Sequence, residues 1–371
     1  MKSSGYSVLA GICCLIIMIM GILVSGCSDD DNPASSEQYV WAPLGTGVDA
    51  GVRELTVYDN KVIAGGWFTT AGGDTVNGIA SWNGSSWAAL GTGFNYGVFS
   101  LTIFDSKVIA GGRFTTAGGV SASAIAAWDG SSWAPLGTGL VYTTDVARVM
   151  TLTTFGNKLI AGGFFDMAGG VSAGRIAAWD GSSWAPLGDG MTYLGTEPSV
   201  NAFTFYGGQL IAGGYFSTAG GVSVKNIAAW NGSSWAPLGT GLNDFVFALT
   251  VFNGELIAGG MFSTAGGVTA NHIAAWDGLS WTPLGTGFDG DISALCVYEN
   301  KLIAGGNFTT AGGLAANHIA AWDGSSWTAL GSGTDAGISS LTVYDNKLIS
   351  GGSFTTAGGV SANNIAAWGP K

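Results

Sequence analysis

The chain has 371 residues, of which 64 are glycine, far above the usual share of about 7%. Hydrophobic residues make up 47%, aromatics 12% and charged residues only 10%, which excludes a disordered chain; only eight prolines and no Gly-X-Y period exclude collagen. A formal net charge of −12 argues against nucleic acid or an anionic membrane surface as partner.

The first segment is an address, not part of the fold. Seventeen largely apolar residues, Val8 to Val24, fall short of the ~20 that a membrane span needs. They end in Leu23-Val24-Ser25-Gly26-Cys27, small residues directly before a cysteine. This ending resembles the lipobox of bacterial lipoproteins, which implies that residues 1–26 are a signal peptide and that Cys27 is acylated. The resemblance implies a bacterial cell-envelope protein held by lipid at the outer membrane or cell surface; an uncleaved signal anchor is the alternative. An acidic, Pro- and Ser-containing tether, residues 27–38, follows. Cys13 and Cys14 leave with the signal, so Cys296 is the one other thiol and no internal disulfide is possible. Cys296 aligns with Thr56 and Thr342 of other copies and reads as a buried small residue.

Repeats fill the remainder. Gly-Gly, any residue, then Phe begins at Gly65, Gly111, Gly162, Gly213, Gly259, Gly305 and Gly351, with spacings of 46 residues and two of 51. Each copy holds four strand-like pieces. In the sixth they are 294–298, 301–304, 318–322 and 326–330. Asp-Gly or Asn-Gly follows the third piece, as at Asn83 and Asp129, and predicts a tight type I′ hairpin. The domain opens with a lone fourth piece, Tyr39 to Leu44, and ends on a third, Ile365 to Trp368. The sequence therefore predicts an all-β, seven-bladed β-propeller over residues 39–371, with four antiparallel strands per blade. The N-terminal strand completes the last blade and closes the ring. Fourteen of the 15 Trp fall at two fixed positions per copy and read as packing between blades; Trp67 alone falls outside.

Ile109-Ala110-Gly111-Gly112, then Trp128-Asp129, then Trp133, resembles the kelch-type propeller motif, with Trp in place of the usual Tyr and a shorter period. The repeat wording is also similar to fungal cortical polarity markers and to bacterial surface proteins. Both resemblances imply a propeller, and neither implies one activity.

Residue sets for chemistry are sparse. Gly45 to Ala50 fits a dinucleotide fingerprint formally, but a strand follows where a helix is needed. Asp-Gly-Ser-Ser-Trp is one residue short of a sialidase Asp-box, and a galactose-oxidase-like copper site lacks its ligands. His272 and His318 sit at equivalent positions in adjacent copies and read as solvent-facing strand starts. Asp49, Asp244, Asp289, Asp291 and Asp335 lie in loops between copies, as calcium ligands or as plain solvation. We expect no cofactor and no metal.

Comparison among the copies points elsewhere. The residue between Gly-Gly and Phe runs Trp67, Arg113, Phe164, Tyr215, Met261, Asn307, Ser353. Both five-residue insertions, carrying Tyr142 and Tyr193, fall in the loops between copies, and these features should converge on one rim. The reading is a non-catalytic, monomeric envelope module that binds a protein or glycan through this rim. The alternatives are a carbohydrate lyase or hydrolase using Asp145, Glu197 or Asp244, and a purely structural envelope protein.

Overall fold

In the computed structural model the described residues are 38–193 and 197–371. The signal segment 1–26, Cys27 and the tether to residue 37 lie outside them, as do residues 194–196 of the second insertion. All regular structure among the described residues is β, and seven sheets there have four antiparallel strands, one sheet per copy. In the first, Val52–Tyr58, Lys61–Gly66, Ile79–Trp82 and Trp87–Ala89 pair in that order. In the seventh, Ile338–Tyr344, Lys347–Gly352 and Ile365–Pro370 take their fourth strand from Tyr39–Pro43. That strand runs with Tyr39 opposite Pro370 and Pro43 opposite Ala366.

The second strand of each sheet is buried on both faces, because a neighbouring sheet covers each. Its alternate residues serve two cores. Val62 and Ala64 pack with Ile349, Ile365 and Ala367 of the seventh copy, whereas Ile63 packs with Val98 and Leu101 of the second. The phenylalanine after each Gly-Gly, Phe68 to Phe354, is less than 2% exposed in all seven copies. The outer strand is fixed by its tryptophan. Trp87 lies opposite Trp82, with ring centroids 5.4 Å apart, and its Nε1 donates to Leu44 O of the seventh sheet. The same bond recurs from Trp133 to Leu90 and from Trp327 to Leu284, and Trp41 makes it to Leu330.

The turns differ from expectation. The Asp-Gly segments close four-residue loops, because Trp128 pairs with Trp133 and not with a nearer residue. Asp129 Oδ1 accepts the backbone N–H groups of Ser131 and Ser132, and only Gly130 takes a positive φ, of 101°. These amide bonds, with the Ser131 hydroxyl, hold the Asp129 carboxyl down at about 2. The two-residue turns with φ > 0 at both central positions lie between first and second strands, as at Asp59-Asn60 and Glu299-Asn300. Each copy also carries a two-residue hairpin that sequence patterning missed, such as Thr70–Ala71 with Asp74–Thr75. Val48, from the preceding loop, bridges to Ala71, so loops between copies and loops between second and third strands share one end of the sheets.

Candidate functional site

Each first strand carries a β-bulge at the same point, beside the Gly-Gly end of the second strand. The register shifts between Val52 and Glu54, between Val98 and Ser100, and likewise in the other five copies. A bulge leaves one residue out of the ladder and re-aims its side chain. Here the bulged residues are Arg53, Phe99, Met150, Asn201, Phe247, Ser293 and Ser339, and all seven line one cavity of about 240 Å³. The next residues, including Glu54, Ser100, Thr151 and Ser340, line an adjoining cavity of similar volume. One residue per copy thus meets at a common mouth, with a polar throat adjoining it. Sequence reasoning missed this ring, although the signal is present: the position varies across copies between nearly constant Val or Ile and Leu or Phe neighbours.

Glu54 is the one ionisable residue at its position around the throat. Burial among apolar and neutral walls pushes its carboxyl up to about 7, against hydrogen bonds from Ser340 Oγ (2.9 Å) and Leu55 N (3.1 Å) and the nearby charge of Arg53. The side chain still touches solvent in the throat, so the penalty on its charge is smaller than complete burial implies. The folded state therefore keeps a proton that the unfolded chain releases above its ordinary value of 4.5. Stability should fall by about 2 kcal/mol as pH rises from 4.5 to 7.5. Urea midpoints over this window should stay flat in Glu54→Gln; an equal slope in both proteins would assign the loss to other groups.

Beside the mouth lies a cleft of about 340 Å³ lined by Arg53, Trp67, Phe99, Arg113, Arg148, Met150 and Phe164. It brings together three of the rim residues expected from sequence, Trp67, Arg113 and Phe164, with three bulged residues. Trp67 is 45% exposed and sits 5.2 Å from the Tyr96 ring and 4.9 Å from Phe99. The Arg113 guanidinium lies 5.2 Å from the Tyr96 centroid, and that of Arg148 lies 5.5 Å from Phe164 while bonding Asp145 at 2.7 Å. A second aromatic row runs inward from the other insertion. Tyr193 stacks on Tyr215 at 4.4 Å, Tyr215 on Phe245 at 4.1 Å, and Phe245 approaches the bulged Phe247 at 5.6 Å.

The remaining rim residues behave differently. Met261 and Asn307 are exposed but line neither the cleft nor the mouth. Tyr142 is not a surface residue of the rim. It is 8% exposed, donates from its hydroxyl to Glu197 Oε1 at 2.8 Å, and lies 4.4 Å beneath the Arg175 guanidinium. It therefore fastens the two insertions to one another.

The loop carboxylates also hold structure. Asp49 Oδ1 accepts the backbone N–H groups of Thr69 and Thr70, and Asp289 and Asp335 repeat the arrangement with Thr309-Thr310 and Thr355-Thr356. Partial burial raises the Asp49 carboxyl, but these bonds outweigh it and the net shift is downward. Asn95 and Asn243 do the same work, so the position needs an oxygen acceptor and not a charge. Asp244 Oδ1 accepts from Phe245 N, and Asp291 approaches His272 at 3.6 Å. His272 and His318 are half-buried at φ 67° and 65°, not solvent-facing strand starts, and His272 Nδ1 lies 3.1 Å from Gly260 O. Cys296 is likewise only partly covered. Among the described residues, no three His, Cys, Asp or Glu side chains come together as metal ligands.

No protein-family model and no curated protein matches the chain. Solved structures do. The computationally designed Ika8 protein is similar over 87% of this chain and 97% of its own, with 17% identity and a TM-score of 0.51. The WD40 β-propeller domain of Doa1 is similar over 87% and 93%, with 14% identity and a TM-score of 0.51. At this identity the likeness is one of fold: the chain is an all-β protein of repeated, blade-like four-stranded sheets, similar to a β-propeller.

Proposed function

We propose that the protein is a non-catalytic, monomeric, lipid-anchored module of the bacterial cell envelope that binds a protein or glycan through the mouth face. It is a closed ring of seven blades of kelch-like repeat type. Closure is supported by the Trp41 and Trp87 bonds across the split copy, by the core shared between copies seven and one, and by Leu55 N donating to Ser340 Oγ. Anchoring is supported by the sequence ending at Cys27.

One observation carries the binding reading. The seven bulged residues, which differ among otherwise matching copies, meet at one mouth, and three of the variable residues after Gly-Gly, Trp67, Arg113 and Phe164, line the cleft beside it. Binding hot spots are enriched in Trp, Tyr and Arg. The test is a pull-down from intact cells with the wild type, a Trp67→Ala/Tyr215→Ala variant, and Cys27→Ser. Loss of the retained ligand in the double variant, with unchanged melting, is the expected result; unchanged retention would overturn the reading. Cys27→Ser should leave the membrane fraction, and continued sedimentation with membranes would refute lipidation.

A further inference from the structure

Arginine is distributed unevenly over this molecule. The chain has four, Arg53, Arg113, Arg148 and Arg175. The first three line the single cleft beside the mouth, and the fourth lies over Tyr142 in the adjoining insertion. No lysine lines that cleft, although Lys225 sits at the same end of the sheets, in the loop between Val222–Ser223 and Ile227–Trp230. Lys61, Lys107, Lys158, Lys301 and Lys347 each open a second strand, at the end of the sheet opposite the bulges. A need for solubility or general charge balance would not sort the two cations in this way, because both carry the same charge. Arginine differs in its planar fork, which meets carboxylate, sulfate or phosphate oxygens in pairs and stacks on aromatic faces.

The partners of these side chains sharpen the point. Arg148 is matched by Asp145, but neither Arg53 nor Arg113 has a carboxylate within ion-pair distance among the described residues. Arg53 feels the charge of the adjacent Glu54, but the Glu54 carboxylate accepts its hydrogen bonds from Ser340 and Leu55. In a chain of net charge −12, the cleft is a local surplus of positive charge. Its walls are Trp67, Phe99 and Phe164, flat apolar faces, and its volume of about 340 Å³ lies at the small-ligand end of the range for binding clefts, not at that of a protein footprint.

We propose that this cleft binds an anionic saccharide: a sugar ring that lies against Trp67 and Phe99 and carries a carboxylate or sulfate held by Arg53 and Arg113. This rests on the mouth face being a binding face and names its ligand class.

The test uses the full chain in detergent, titrated with an oligogalacturonide, its fully methyl-esterified form, and a sulfated oligosaccharide of similar length. At least one charged sugar should bind, tenfold or more tighter than the ester, with affinity falling as salt rises. Which charged sugar binds tells carboxylate from sulfate. Arg113→Gln and Arg53→Gln should each weaken binding at least fivefold, Arg113→Lys should recover part of it, and Trp67→Ala should weaken charged and uncharged sugars alike. Near-ultraviolet circular dichroism, dominated by the tryptophan pairs, reports whether each variant is folded. Equal binding of acid and ester, or full affinity in a folded Arg53→Gln/Arg113→Gln variant, overturns the proposal. If no sugar binds but the pull-down still depends on Trp67 and Tyr215, the saccharide is wrong and the binding face stands. If that dependence is also absent, both readings fall.

Discussion

Replacing Trp41 with alanine should lower stability by about 3–5 kcal/mol, the usual loss for a buried tryptophan. Trp41 is 7% exposed, lies 5.3 Å from Trp368, and donates from Nε1 to Leu330 O at 3.0 Å. Trp87→Ala removes an equivalent set of contacts and should cost about the same. Deleting residues 39–44 separates the two positions. The deletion leaves the Ile365–Pro370 strand with an open edge, which is a template for pairing with another chain. It should therefore cost more than the single substitution and produce concentration-dependent oligomers on size exclusion. Denaturant midpoints measure the first effect. A deletion variant that stays monomeric with an unchanged midpoint would mean that the N-terminal strand contributes nothing to holding the seventh sheet.

The second large effect concerns the Gly-Gly pair. A Cβ on Gly112 would stand 2.2 Å from Gly97 O and 3.1 Å from Phe114 Cδ1, and neither the backbone nor the fully buried ring can withdraw. Gly112→Ala should cost about 3 kcal/mol or more, at the upper end of overpacking penalties. Gly119 provides the contrast. It has φ +82° and open space around its Cβ direction, so Gly119→Ala should cost only the left-handed strain of about 1–2 kcal/mol. Gly112 does not need a positive φ; it needs room. Similar losses in the two variants, measured by urea unfolding, would place the cost in backbone conformation instead.

The fold was legible because repetition multiplies weak signals. One Ile-Ala-Gly-Gly segment could be many things, but seven at fixed spacing define a unit, and the lone outer strand at residue 39 pairs with the copy that lacks one. The Asp-Gly turn was misread because local rules favour a two-residue loop there. The Asp129 side chain instead satisfies two amides of a longer loop, and this competition depends on the serines that follow.

The site was only half legible. Trp67, Arg113 and Phe164 stood out as variable residues within a constant frame, and the structure gathers them. Tyr142 stood out equally but is drawn inward by Glu197, 55 residues further along, a contact invisible to any local pattern. The bulged residues were hidden for another reason. Alternation along a strand assigns each residue to one of two faces, and a bulge breaks that rule by a single residue. Arg53 and Phe247 consequently look like ordinary strand residues until the register is known.

The point where the chain enters the first described strand has a further consequence. Gln38 O accepts from Lys371 N, and Tyr39 donates to Glu299 in the turn between first and second strands. That end of the sheets is opposite the bulges and the arginine cleft. Residue 38, where the described chain begins, therefore joins the sheets at the end away from the cleft. Under the anchoring at Cys27 proposed above, many copies on one surface would present many identical clefts. A polymer with repeated anionic sugars would engage several at once, so that modest affinity per cleft gives strong retention of the whole strand. The same protein free in solution would hold that polymer weakly, and retention would then depend on the lipid at Cys27 as much as on any side chain in the cleft.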